Sequence, residues 1–290
     1  MPESRPLVSI GLPVYNGERF IREALDSLLA QTYEQLELII SDNASTDRTA
    51  EICQEYLAKD RRIRYYRNPT NLGAVKNFNR TFELSTGTYF MWAADHDLRE
   101  PTFVTRCVEV MQQDQSVVLC YPQTVRIEPD GSYSEPIPPR LDTRGLFDVA
   151  RFQIVMWSLS YCYQIYGLMR SSALRCTGLA RDTIGTDAIL LAELSLLGTF
   201  AYMPDRLFYI RRMPDAGDWA RYAAKLNKRL TPWSAGLLYW QMIYNYLRVV
   251  HEHIHQPVRK IMLMLAVLLC IPIRYRLVLR DMIRAARARR

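Results

Sequence analysis

Asp95 and Asp97 flank a single histidine, His96, directly after the apolar run Tyr89-Phe90-Met91-Trp92-Ala93. Two carboxylates projecting from the end of a buried strand repel one another unless a cation joins them. Oxygen ligands suit Mg²⁺ or Mn²⁺, and Mg²⁺ sites of this kind usually complete their shell with phosphate. Short Asp-X-Asp triplets also solvate ordinary turns, so it is the position after an apolar strand that gives this one weight. Pro13-Val14-Tyr15-Asn16 and Ser41-Asp42-Asn43 follow apolar runs in the same way. Neither GxGxxG nor GxxxxGK[ST] occurs, which argues against a dinucleotide cofactor and P-loop chemistry.

The elements that must position these clusters alternate. Residues 7–12, 36–41, 63–66, 88–93 and 117–121 read as strands. Helices fall between them, with Ile21, Leu25, Leu28 and Leu29 marking the inner face of the first and Ile52, Cys53, Tyr56 and Leu57 that of the second. Residues 74–84 and a segment from Pro101 supply two more. This rhythm predicts an α/β fold on a mainly parallel sheet with helices on both faces. In such a sheet ligands lie beyond the carboxyl ends of the strands, so the three polar clusters converge. Residues 125–144, with an Asp130-Gly131 turn and the proline-rich stretch 136–139, are expected to lie over the site. A break near residue 215 divides a domain of residues 1–215 from a helical C-terminal extension, 216–290.

Of the 290 residues 49% are hydrophobic and 23% charged, which excludes disorder as the main state. The six cysteines (Cys53, Cys107, Cys120, Cys162, Cys176 and Cys270) are scattered. That spacing rules out a zinc ribbon or CxxC motif and predicts reduced thiols in a cytosolic protein. The apolar start is too short and too polar-flanked to read as a signal peptide. The net charge of +7 is local: from Pro257 onward nine Lys or Arg stand against one acid, Asp281, leaving residues 1–256 near −1. A nucleic-acid binder would spread its charge over a folded face, so no nucleic-acid partner is expected.

Val8-Ser9-Ile10-Gly11-Leu12-Pro13-Val14-Tyr15-Asn16 resembles the opening of family-2 glycosyltransferases. So do Glu37-Leu38-Ile39-Ile40-Ser41-Asp42-Asn43-Ala44-Ser45-Thr46-Asp47, and Asn71-Leu72-Gly73 with Asn77 ahead of the Asp-X-Asp element. Tyr166-Gly167-Leu168-Met169-Arg170 and Gly185-Thr186-Asp187-Ala188-Ile189-Leu190-Leu191-Ala192-Glu193 resemble later segments of the family, and the likeness runs in order over about residues 6–213. It implies a GT-A type sheet and inverting transfer of a sugar from a nucleotide diphosphate donor. A UDP- or dTDP-sugar is the expected donor, and a saccharide or lipid-linked saccharide of cell-surface glycan synthesis the expected acceptor. The resemblance assigns Asp42 to a nucleobase N–H, and Pro13, Tyr15 and Asn16 to the wall around base and ribose. It assigns Arg67, Asn71 and Lys76 to the donor, with the two cations toward the diphosphate. Asp95 would face ribose or metal and Asp97 would hold Mn²⁺ or Mg²⁺, lying exposed at its strand end so that Asp97→Ala spares the fold.

Inverting transfer needs one general base beside the acceptor hydroxyl. Asp187, between Gly185-Thr186 and an apolar helix, is the expected base, with Glu193 nearly two turns on as a weaker substitute. A role for Asp187 in starting its helix is compatible with this. Two other function classes remain. A sugar-nucleotide pyrophosphorylase would carry a Gly-rich, Arg-containing loop where Pro13-Val14-Tyr15-Asn16 stands. A non-catalytic, membrane-attached nucleotide-sugar-binding module would keep every motif and lack only turnover.

In the tail, residues 261–273 are apolar up to the break expected at Pro272, shorter than the roughly 20 residues a bilayer span needs. Arg276, Arg280, Arg284 and Arg287 then recur beside Leu279, Met282, Ile283 and Ala286. That pattern suits a helix in the interface of an anionic membrane, and equally an amphipathic helix packed on the catalytic domain. The expected location is cytoplasmic, peripheral at the inner face of the membrane. His251, His253 and His255 cannot share one helix face, which argues against a metal site there.

Overall fold

The computed structural model describes residues 5–138, 141–158, 162–213 and 231–287; the boundary expected near residue 215 lies outside them. β1 (Val8–Val14), β2 (Leu36–Asp42), β3 (Ile63–Arg67) and β4 (Tyr89–Trp92) form a parallel block in the order β3-β2-β1-β4. They are linked by α1 (Ile21–Leu29), α2 (Thr49–Leu57) and α3 (Ala74–Glu83). Val14 pairs with Asp42, and Asp42 with Arg67, so the polar residues that end these strands emerge along one edge.

Beyond β4 short antiparallel pairs join the parallel ones, so the sheet as a whole is mixed. β5 (Leu98–Arg99), α4 (Phe103–Gln113), β6 (Val117–Ile127) and β7 (Tyr133–Pro136) come next, followed by α5 (Asp148–Ser158) and a 3₁₀ turn over Tyr163–Tyr166. Then come β8 (Leu168–Arg170), α6 (Ser171–Arg175), α7 (Thr186–Leu197) and β9 (Thr199–Arg211). β8 is antiparallel to β4 and β6, β5 to β9 and β7 to β6, while β6 and β9 run parallel. β6 does not stop at residue 121. It continues to Ile127, long enough to turn into β7 and to pair with β9 as far as Arg211.

Alternation along the strands divides the apolar residues between two cores. Tyr89 and Met91 of β4, with Val8, Ile10, Leu12 and Val14 of β1, pack with α1, α2 and α4. Phe90 and Trp92 face the opposite side, among residues of α3, α5, α7 and the two C-terminal helices. There Phe90 stands edge-on to Phe82 and to Trp92, with ring centroids 5.0 and 4.9 Å apart.

α8 (Pro232–His253) starts at a capping box: Ser234 N–H donates to the Thr231 hydroxyl, and Thr231 N–H to the Ser234 hydroxyl. α9 (Pro257–Arg287) corrects the expected break, because the helix runs through Pro272. Proline removes one hydrogen bond from a helix interior. Buried Leu263, Val267 and Ile271 before it, and Met282 and Ala286 after it, carry the helix across that gap. The exposed Pro272 should therefore be a net cost. Pro272→Ala is expected to raise the melting temperature, by up to about 3 kcal/mol of stability; a helix that truly ended at residue 271 would leave it unchanged.

Candidate functional site

β2 ends in Asp42, whose side chain is wholly buried. Its Oδ1 accepts from Ser45 N–H at 2.8 Å and its Oδ2 from the Tyr65 hydroxyl at 2.7 Å, with Arg67 Nε 3.5 Å away. Burial and the hydrogen bond to Asp42 push the Tyr65 phenol above its ordinary value. Arg67 also donates to the Ser45 carbonyl at 2.8 Å. Asp42 thus shapes the rim through Tyr65 and Arg67 instead of presenting an open carboxylate. Pro13 is not a wall beyond the strand either: it lies buried within β1, opposite Ser41. Tyr15 is open to solvent, 48% exposed. Asn16 takes the left-handed conformation (φ +53°), and its Oδ1 accepts from Thr46 N–H, which ties the loop after β1 to the loop after β2.

Behind this rim lies a network of amides. Asn77 donates to the Ser41 carbonyl (2.8 Å) and accepts from the Ser41 hydroxyl (2.7 Å) and Asn68 (2.9 Å). Asn68 also donates to Asn43 at 3.0 Å, and Asn43 donates to Asn71 at 2.8 Å. Asn71 therefore helps hold the loop that leads into α3, where Lys76 is exposed. Asn43 belongs to the Ser41-Asp42-Asn43 cluster expected at the site, whereas Asn68 was missed by the sequence reading. Amides recurring at 68, 71 and 77 were the available signal.

The Asp95-His96-Asp97 segment is less open than its sequence suggests. Asp97 is 1% exposed, which overturns the expectation of an exposed strand-end carboxylate. Its Oδ1 accepts from Arg211 N–H at 2.9 Å, while its buried Oδ2 has no hydrogen-bond partner among the described residues. Burial pushes this carboxyl up, against the pull of His96 and the Arg211 N–H. Asp95 is partly open and pairs with His96 Nδ1 at 2.7 Å; His96 Nε2 lies 3.8 Å from Asp97 Oδ1. Gly17 lies flush against Asp95, since a Cβ there would overlap Asp95 Oδ2. A buried carboxylate oxygen without a donor is costly unless a proton or cation meets it. Two carboxylates with one such oxygen fit a hard divalent cation. No cluster of three or more candidate ligands forms among the described residues, so phosphate and water would complete its shell.

Arg211, 1% exposed, fastens this segment. Its Nε donates to the His96 carbonyl (3.0 Å), its Nη1 to the Pro129 carbonyl (2.9 Å) and its Nη2 to Glu23 (2.6 Å), and its guanidinium lies 4.5 Å from the Phe20 ring centroid.

Asp187 occupies the first turn of α7, which begins at Gly185 in the left-handed conformation (φ +68°). The residue stays open to solvent, yet the protein around it removes enough water to push its carboxyl up to about 6. Glu193 is no substitute base. It is buried and accepts from Arg181 (2.8 and 3.1 Å) and His253 (2.9 Å). Burial acts to raise its carboxyl, but the bonds from His253 and Arg181 hold it below the ordinary range. Tyr166, missed as a site residue, connects the two regions. Desolvation raises its phenol most, and Asp97, Asp187 and Asp95 raise it further, so all three carboxylates lie within its electrostatic reach.

The family profile described as Glycosyl transferase family 2 matches residues 9–178. A chondroitin synthase of Escherichia coli is 34% identical over 127 residues, 44% of this chain and 18% of that protein. The chain spans less than half the length of the first curated relatives it matches. Residues 1–349 of Staphylococcus aureus TarS, in complex with UDP-GlcNAc, superpose with a TM-score of 0.69 at 16% identity, covering 90% of this chain and 71% of that one. The mannosyltransferase PcManGT of Pyrobaculum calidifontis, in complex with GDP-Man and Mn²⁺, gives 0.61 at 16% identity, covering 99% and 74%. At these identities the likeness establishes the fold: a GT-A-like mixed sheet with a helical C-terminal region.

Gly17→Ala should displace the Asp95 carboxylate and also crowd Val14 Cγ2 at the edge of the first core. Mn²⁺ affinity, measured by calorimetry on the variant well below its melting transition, is expected to fall at least tenfold. Unchanged affinity would detach Asp95 from the cation site.

Proposed function

We propose, from the premise that this chain belongs to glycosyl transferase family 2, that it moves a hexosyl unit with inversion from a nucleoside diphosphate sugar to a saccharide or lipid-linked saccharide acceptor in cell-surface glycan synthesis. One observation supports this reading: Asp95, Asp97 and Asp187, on separate elements, all lie within electrostatic reach of the Tyr166 phenol. A pair of carboxylates suited to a cation and one solvent-open carboxylate of raised basicity would thus share one region of the fold.

Tyr15 and Asn16 would form the rim for base and ribose, while Asp42 orients Tyr65 and Arg67, the latter toward the diphosphate. Asn71 and Lys76 would flank the diphosphate. Asp95 and Asp97 would hold Mn²⁺ or Mg²⁺, which when bound neutralises charge on the departing nucleoside diphosphate. Asp187 takes the proton of the acceptor hydroxyl as its oxygen bonds to the anomeric carbon. The bond to the diphosphate breaks on the opposite face, and the electron pair leaves with the phosphate. A carboxyl near 6 is ionised at neutral pH and is a better proton acceptor than an ordinary aspartate. A module that only bound nucleotide sugar would gain nothing from that raised basicity.

Asp187→Asn is expected to keep donor affinity and lose about 10²–10⁴ of the transfer rate. The wild-type rate should rise with pH through about 6 as Asp187 ionises, and the variant should lack that limb. The folded state binds this proton more tightly than the unfolded chain does, so Asp187 costs stability progressively as pH rises from about 4 to about 6, and the cost is complete above that. The variant should accordingly melt no lower than wild type at pH 8. Transfer at close to the wild-type rate would remove Asp187 from the base role.

A further inference from the structure

α9 contains an 18-residue stretch apolar enough to cross a bilayer, yet only 17% of that stretch is buried. The uncovered part is one continuous face. Ile261, Leu265, Leu268, Leu269 and Ile273 recur along it and are between 46% and 66% exposed. At 1.5 Å per residue this apolar face is about 20 Å long. The same face continues as Arg276, Arg280, Arg284 and Arg287, all exposed. Asp281, beside Arg280, is the one acid in the helix. α8 carries a matching stripe: Trp233, Leu237, Trp240 and Tyr244, spaced by three and four residues, are 54% to 78% exposed. Counted outward from the short 254–256 connection, that stripe falls alongside residues 266–277 of α9.

We infer that the exposed faces of α8 and α9 dock in the plane of an anionic lipid surface without crossing it. The charge selects the occupant. A second copy of this chain would bring one arginine row against another, whereas anionic headgroups complement it. Exposed tryptophan and tyrosine with an apolar body and a polar edge suit the same boundary. The packing selects the orientation. The other side of α9 is fixed to the domain at both ends, by Leu263, Val267 and Ile271 and again by Met282 and Ala286. Arg274 donates to the Met156 carbonyl, and Arg259 pairs with Asp148 of α5. A spanning helix would have to leave all of these partners, so the unsuitability for crossing lies in its packing and not in its length.

The test uses the full chain and vesicles without donor or acceptor, so its outcome is independent of the transferase reading. Cosedimentation is expected with phosphatidylcholine vesicles containing phosphatidylglycerol, and much less with phosphatidylcholine alone. Replacing Arg276, Arg280 and Arg284 by Gln should weaken binding about fivefold each, or about a hundredfold together. Trp233→Ser with Trp240→Ser and Leu269→Ser should abolish binding without lowering the melting temperature, since all three side chains are exposed. Alkaline carbonate should release the bound wild-type protein. Absence of binding to anionic vesicles, or resistance to carbonate, would overturn the inference. So would a vesicle-free dimer that the same substitutions dissociate.

Discussion

Arg211 is the joint on which the site depends. One residue at the end of β9 grips the Asp97 carboxylate with its backbone N–H, while its guanidinium holds the His96 carbonyl, the β6–β7 turn at Pro129 and Glu23 of α1. A planar, permanently charged group with five donors can satisfy several acceptors at fixed angles, which a lysine cannot. The segment bearing both candidate cation ligands is thereby fixed to three other elements.

The same rigidity sustains an electrostatic cost. Asp97 is held where one oxygen has no donor among the described residues. Nearby, Arg99 is buried with its guanidinium 4.8 Å from the Phe208 ring centroid, and burial lowers it to about 10. A fold tolerates desolvated charge of this kind when the group serves binding, because a cation is then attracted to a site that water cannot neutralise. Asp187 is tuned by the same physics in a more open setting. Glu193, one helix face away, has its charge fully matched by Arg181 and His253. Three acids thus differ in protonation and freedom because their surroundings and donors differ.

The C-terminal helices complete the second core and also form its outer boundary. Leu238, Met242 and Ile243 of α8 pack into the cluster that contains Ile189 and Leu190 of α7. Gly185 lies against Met242, so the start of the helix bearing Asp187 rests on α8. The exposed outer faces of α8 and α9 and the start of the helix bearing Asp187 therefore belong to one packed unit.

Much of this was legible in the chain itself. Apolar runs over residues 7–12 and 36–41 predict buried strands, and motif order shows which strand ends bear acids. Periodicity also marked the inner faces of α1 and α2. What escaped depended on partners remote in sequence. Nothing local distinguishes the exposed Asp97 expected at residue 97 from the buried one found there, because Arg211 lies 114 residues away. Glu193 reads as a possible base until Arg181 and His253 close on it. The mixed half of the sheet rests on pairing between β6 and β9, a contact that local propensity does not encode. Pro272 reads as a stop, and only side chains packed on both sides of it keep α9 continuous. Sequence determined which groups could do chemistry, since residue type and period are local properties. Tertiary structure decided which of them are free to act, because solvation and hydrogen-bond partners are set by whatever the fold brings alongside.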